Sequence, residues 1–364
     1  MNDIIQRVPP LPFKPDFEQH EKDEEETTAS MIESLKKIAD TTKEDTGRSL
    51  RSVHAKSHGF IRGELIVPGN LPPELAQGMF SIPATYPTVL RFSTIPGDLL
   101  DDSVSLPRGL GMKIFGVDGP RLPGSEGDCT QDFVLVNGPA FASSNAKHFL
   151  MNLKLLASTT DKAEPLKKAF SAVLRGVEKA VEAVGGKSPT LVTLGGQPET
   201  NILGESFYSQ VPILFGKYVA KIGLFPVSPE LTALTGAPLS DDDKPNAIRA
   251  AMLRHFQIHG GEWEVRVQLL TDLEAMPVED ASVAWPEDKS PYRAVASLRV
   301  KPQVSWSAVR AEYVDGQLAF SPWHGLAAHR PLGSVMRVRK AVYEVMSKRR
   351  GARPEPADLM GMPD

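Results

Sequence analysis

The chain has 364 residues, 41% of them apolar and 24% charged, enough for two ordinary domains or one large barrel-centred domain with a real core. Its formal net charge of −4 gives no reason to expect a nucleic-acid partner, and no apolar run is long enough to cross a membrane. Pro9, Pro10 and Pro12 stand where a secretory signal would need its apolar core, so the expected location is cytoplasmic. The lone cysteine, Cys129, cannot form an internal disulfide and reads as a solvent-side or packed thiol.

Residues 1–45 read as an N-terminal arm, proline-rich and then dense in charge. Its amphipathic stretch from Met31 to Ile38 suits a helix lying on the body or on a neighbouring subunit of a homo-oligomer; a partly disordered tail is the alternative. The main domain is expected over 46–350, with a tail over 351–364. From Phe60 the texture becomes short apolar segments cut by Gly and Pro, predicting strands at 60–67, 88–94, 110–117 and 132–136. Helical patterns follow at 145–156 and 164–184, and strand patterns return at 207–215, 217–225, 263–270 and 295–300, the first pair of these hinged on Gly216. Eight such segments suit an α+β protein with a closed antiparallel barrel and helices outside it. The region 185–243 reads as surface elaboration around its strand pair. Neither Gly195-Gly196 nor Gly260-Gly261 has the strand–Gly-x-Gly–helix setting of a dinucleotide site. His255 and His259 have the spacing of a helical metal pair but lack a third ligand, so they take a structural reading, as do His58, His148, His324 and His329.

Two basic stretches carry the chemistry. Near the C-terminus, Arg339 and Tyr343 share a helix face at i,i+4, and Arg350 lies two turns further on the same side. A tyrosine hydroxyl keeps its proton at neutral pH, its usual pKa being about 10; a guanidinium and a trivalent metal would favour the phenolate. This is either a metal-ligand helix or a basic, solvated helix with Tyr343 packed on the body. Far upstream stands Arg51-Ser-Val-His54-Ala-Lys56.

Taken together, these two stretches resemble the haem catalase family, in its short branch of catalase-related peroxidases. Further matches fall in order between them: Leu90-Arg91-Phe92-Ser93-Thr94, Pro107-Arg108-Gly109 and Asp132-Phe-Val-Leu-Val-Asn137-Gly-Pro139. The resemblance spans about Arg51 to Arg350 and implies the barrel, with haem b (iron protoporphyrin IX) held between its wall and helices. It makes Tyr343 the iron ligand, as tyrosine is in catalase, and Arg339 the cation holding its phenolate. His54 becomes the distal base, Ser93 the group fixing its tautomer, and Arg51, Arg91 and Arg350 the partners of the haem carboxylates. Val53 agrees with true catalases, where the coral allene oxide synthase branch has threonine. Phe149 stands where the family stacks a phenylalanine on the haem. Two departures bear on substrate. Leu106 replaces an aspartate lining the peroxide channel. The position of the distal asparagine falls, without gaps, on Val136; either a one-residue shift gives Asn137 that role, or the distal site lacks its amide.

The implied function is a haem peroxidase that cleaves hydrogen peroxide or organic hydroperoxides through a ferryl intermediate, reduced by a second peroxide or by a small organic electron donor. A fatty-acid hydroperoxide isomerase or dehydratase, and a haem- or lipid-binding barrel without turnover, are the rivals.

Overall fold

Alternation along the strands decides which residues enter the core and which are left for a site. The computed structural model describes residues 8–95, 97, 99–104, 106–159, 199–240, 244–359 and 361–363. Strands β1 (Lys56–Val67), β2 (Ala84–Thr94), β3 (Arg108–Phe115) and β4 (Thr130–Val136) form an antiparallel run with Phe60 opposite Arg91, Arg91 opposite Gly111, and Gly111 opposite Val134. Successive side chains take opposite faces. Leu90, Phe92, Leu110, Met112, Phe133 and Leu135 therefore point into one apolar core. Arg91, Ser93, Gly109, Gly111, Val134 and Val136 share the other face.

The remaining strands are β5 (Phe207–Tyr208), β6 (Ile213–Phe215), β7 (Tyr218–Pro226), β8 (Gly261–Leu269) and β9 (Arg293–Val300). β9 pairs with β1, and β5 bridges β4 to β7 through Val136 opposite Tyr208 and Tyr208 opposite Gly223. These contacts close an eight-stranded antiparallel barrel, with β6 a hairpin arm on β7 turned at Gly216, whose φ is +62°. Closure pairs each barrel strand on both sides and leaves only the short β6 as an edge. The single strand expected over 207–215 is in fact two. Gln210 has a left-handed φ of +61°, and Pro212 has no N–H for a ladder, so pairing breaks between them. Trp263, Phe207 and Phe215 are fully buried inside, each worth about 1.5–3 kcal/mol of apolar burial.

Helices α1 (Glu24–Thr46), α2 (Ala146–Thr159), α3 (Ala247–Ile258) and α4 (Ser334–Arg350) lie outside the barrel. The amphipathic stretch of the N-terminal segment rests on the body. Met31, Leu35 and Ile38 of α1 are buried against Ala146 and Leu153 of α2 and Val338 and Val342 of α4. Gly351, with φ +85°, caps α4, its N–H bonding Ser347 and Lys348 carbonyls, and Lys348, Arg349 and Arg350 complement the helix dipole there. In α3, His255 Nε2 lies 2.9 Å from the Gly260 carbonyl and the His255 and His259 rings are 5.4 Å apart, a helix-end arrangement rather than a ligand pair. The helix expected over 164–184 lies outside the described residues. No helix among the described residues is long and apolar enough to cross a membrane.

Candidate functional site

Between the outer face of β2–β4 and the α1–α2–α4 layer lies a cavity of about 670 Å³, within the size range of small-molecule and cofactor sites. Nine of the ten sequence-singled residues line it: Arg51, Val53, His54, Arg91, Ser93, Phe149, Arg339, Tyr343 and Arg350. They come from both ends of the chain because the segment before β1 and helix α4 face one another across it.

His54 sits just before β1 with a φ of +54°, a left-handed conformation that is uncommon outside glycine and that recurs at functional sites. Arg91 Nη2 holds it there by donating to the His54 carbonyl at 2.7 Å. The ring packs against β3 where Gly109 offers no side chain; a Cβ at that position would sit 2.5 Å from Nδ1. Ser93 Oγ is 3.2 Å from Nδ1 and 3.4 Å from the Gly109 carbonyl. If the hydroxyl donates to that carbonyl, it accepts from Nδ1–H and leaves the Nε2 lone pair free. Burial, with Arg91, Arg339 and Arg51 nearby, pushes the His54 pKa down to about 3, so the imidazole is a neutral base at ordinary pH. Gly109→Ala is expected to cost about 1–3 kcal/mol through overpacking against this ring; a urea melt showing wild-type stability would contradict the packing described.

Tyr343 is half-buried on α4, against the α1–α2–α4 cluster. The Arg339 guanidinium carbon lies 5.7 Å from its ring centroid and 5.8 Å from that of Phe141. Arg339 donates to Met336 Sδ at 3.5 Å and has no carboxylate partner among the described residues. Phe149 meets Phe141 edge-on, centroids 5.0 Å apart.

The other three arginines converge on a group that the sequence did not single out. Arg51 Nη1 donates to Asp315 Oδ1 at 2.9 Å, and Arg91 Nε to the same oxygen at 2.6 Å. Arg350 donates to the Asp315 and Gly316 carbonyls. Asp315 lies in a π-helical turn, Glu312–Gln317, an element frequent at functional sites. Arg91 and Arg51 hold its carboxyl below the usual carboxylate range despite burial. Arg350 is pushed down to about 10 by burial and by Arg91.

Asn137 is the exception. Its amide donates to Glu205 Oε2 at 2.7 Å, its oxygen accepts from Arg108 N–H at 2.8 Å, and it does not line the cavity. Strand alternation explains why: Val134 and Val136 take the site-facing positions of β4, so the next residue turns away. The one-residue shift that would make Asn137 a distal amide does not occur, and no Asn or Gln among the described residues lines the cavity. Leu106 is half-buried and is not among the lining residues either.

His324 and Glu355 line the same cavity. Lys113 Nζ donates to Asp132 Oδ1 at 2.7 Å and bonds Glu355, while His324 Nδ1 is 3.0 Å from Glu355 Oε1. Asp132, His324 and Glu355 are close enough to share a metal ion. However, the Lys113 ammonium is bound to both carboxylates, making this an ion cluster that ties the C-terminal segment to β3 and β4. Side-chain bonds to Asp132 and Glu355 raise the His324 pKa to about 9 against its burial, and Lys113 and His324 hold Glu355 well below its usual range. The stabilisation from His324 is full below pH 6.5 and lost as pH rises through about 9; that from Glu355 is full above the ordinary carboxylate range and lost in strong acid. Stability is thus expected to fall between pH 7 and 10, and the His324→Gln protein to lack that decline, as thermal melts across the range would show.

No protein-family model matches this sequence, and no curated protein matches it either. Among solved structures, it is similar to a fungal catalase (TM-score 0.55, 19% identity, covering 87% of this chain and 61% of that one). It is also similar to catalase A from Saccharomyces cerevisiae (TM-score 0.55, 18% identity, 87% and 64%) and to a bacterial catalase (TM-score 0.54, 14% identity, 88% and 60%). This chain spans less than two thirds of the length of each. At such identities the likeness is one of fold: a catalase-like barrel with helices packed around it.

Proposed function

We propose that the cavity binds haem b and that the chain is a peroxidase, acting on organic hydroperoxides as well as hydrogen peroxide with a small organic electron donor. The observation that carries this reading is one cavity lined by the His54 imidazole, its Nδ1 within 3.2 Å of Ser93 Oγ, and by the Tyr343 phenol with a guanidinium over its ring. The residues fit the group. Tyr343 would ligate iron, with the Arg339 guanidinium beside its ring. Arg51, Arg91 and Arg350 carry three positive charges against the one carboxylate of Asp315, an excess of two that matches two haem carboxylates. When bound, haem supplies a ferric centre able to take an oxygen atom from a peroxide.

The chain's own residues manage the protons. His54 Nε2 takes the proton from the inner peroxide oxygen and returns it to the outer one, which leaves as water or as an alcohol. Ser93 keeps the ring in the tautomer that can do this. With no amide among the described residues lining the cavity, His54 carries the transfer alone. Val53, Val134 and Phe149 present apolar surface to an alkyl substituent.

Stopped-flow mixing of the haem-loaded protein with hydrogen peroxide and with an alkyl hydroperoxide tests the proposal. Faster reaction with the alkyl hydroperoxide, and donor oxidation in step with alcohol release, is the expected result. Rearranged product without any donor would favour an isomerase or dehydratase, and no reaction with either peroxide a binding barrel.

A further inference from the structure

Three arginines lining one cavity would repel one another unless something held them. Arg51 is pulled well below its usual pKa by burial and by Arg91 and Arg350, a sign of that crowding. What holds them is the turn at 312–317 and the residue after it. Arg51 bonds the carbonyls of Val314, Asp315 and Leu318, and Arg350 those of Asp315, Gly316 and Leu318. Asp315 Oδ1 accepts from both Arg51 and Arg91, while Ser57 Oγ donates to Oδ2 at 2.6 Å and fixes the carboxylate from the other side.

We propose that Asp315 is a positioning residue whose carboxylate aligns Arg51 and Arg91 before the cofactor arrives, beside Arg350 held by backbone carbonyls of the same turn, and leaves the three guanidiniums two net positive charges, a match for a dicarboxylate ligand. It is also an internal competitor. Its carboxylate takes donors that a ligand carboxylate would use, so ligand affinity is lower than three unopposed guanidiniums would give, in exchange for a stable ligand-free cavity. This inference rests on the haem reading for the identity of the dicarboxylate, and adds a role for a residue outside the cavity lining.

Asp315→Asn keeps the shape and an acceptor oxygen while removing the charge. The test uses the full chain, thermal melting without ligand, and fluorescence titration with metal-free protoporphyrin IX and with its dimethyl ester, which lacks the carboxylates. In Asp315→Asn the ligand-free melting temperature is expected to fall and protoporphyrin IX affinity to rise about tenfold, as for one unit charge removed nearby. Affinity for the dimethyl ester should not change. A merely structural role would lower both stability and affinity, and that result, or an unchanged affinity ratio of acid to ester, overturns the proposal. Should Asp315→Asn not fold alone, refolding with protoporphyrin IX is expected to rescue it and refolding with the dimethyl ester is not; rescue by neither, or by both, contradicts it equally. Wild-type protein that binds neither porphyrin would bring down the haem reading and this inference together, whereas wild-type binding with no effect of Asp315→Asn removes this inference alone.

Discussion

Tyr343→Phe is expected to weaken ferric haem binding by about two orders of magnitude, at or beyond the effects known for residues that only support a metal ligand, and to abolish turnover. The same change should leave the ligand-free protein nearly as stable as before, within about 0.5 kcal/mol. The reason is geometric. The phenylalanine ring keeps its place in the α1–α2–α4 cluster and under the Arg339 guanidinium, while the hydroxyl it loses has no hydrogen-bond partner among the described residues. Haem titration followed by absorbance, together with a melt of the ligand-free variant, separates ligation from packing. A variant that melts much lower, yet takes up haem with the wild-type spectrum, would assign Tyr343 to packing instead.

Removing the base has the second large effect. His54→Ala should slow peroxide cleavage by about 10²–10⁴-fold, the usual range for a positioned acid–base group, with haem affinity little changed. Because His54 is neutral down to about pH 3, the wild-type cleavage rate should show no histidine inflection near pH 6.5. Rapid mixing between pH 4 and 8 reads this directly; a rate that collapses below pH 6.5 would mean that the imidazole is not held as described.

Local pattern made much of this fold legible. Strands β1 to β4 combine alternation with Gly and Pro boundaries, and period two alone sends Arg91 and Ser93 to the same face, where His54 meets them. The break at Gln210 was not legible, since a non-glycine residue in a left-handed conformation has no reliable sequence mark. Asn137 shows the limit of motif reading: a one-residue shift in a strand reverses the face, and here the valine keeps the site-facing place. Asp315 was missed because its role comes from arginines far away in sequence and from a π turn with no signature of its own. His324 and Glu355 were hidden likewise, since only folding brings the C-terminal segment to Lys113 and Asp132. For Asp315, His324 and Glu355 the missed information was long-range.

The most direct measurement is to add ferric haem stepwise to the purified, ligand-free wild-type chain and record its absorption spectrum. Uptake of one haem per chain, with the bands of a ferric phenolate complex that Tyr343→Phe removes, is the predicted result. A chain that takes up no haem, or whose bound haem shows the same spectrum with and without the Tyr343 hydroxyl, would contradict the account.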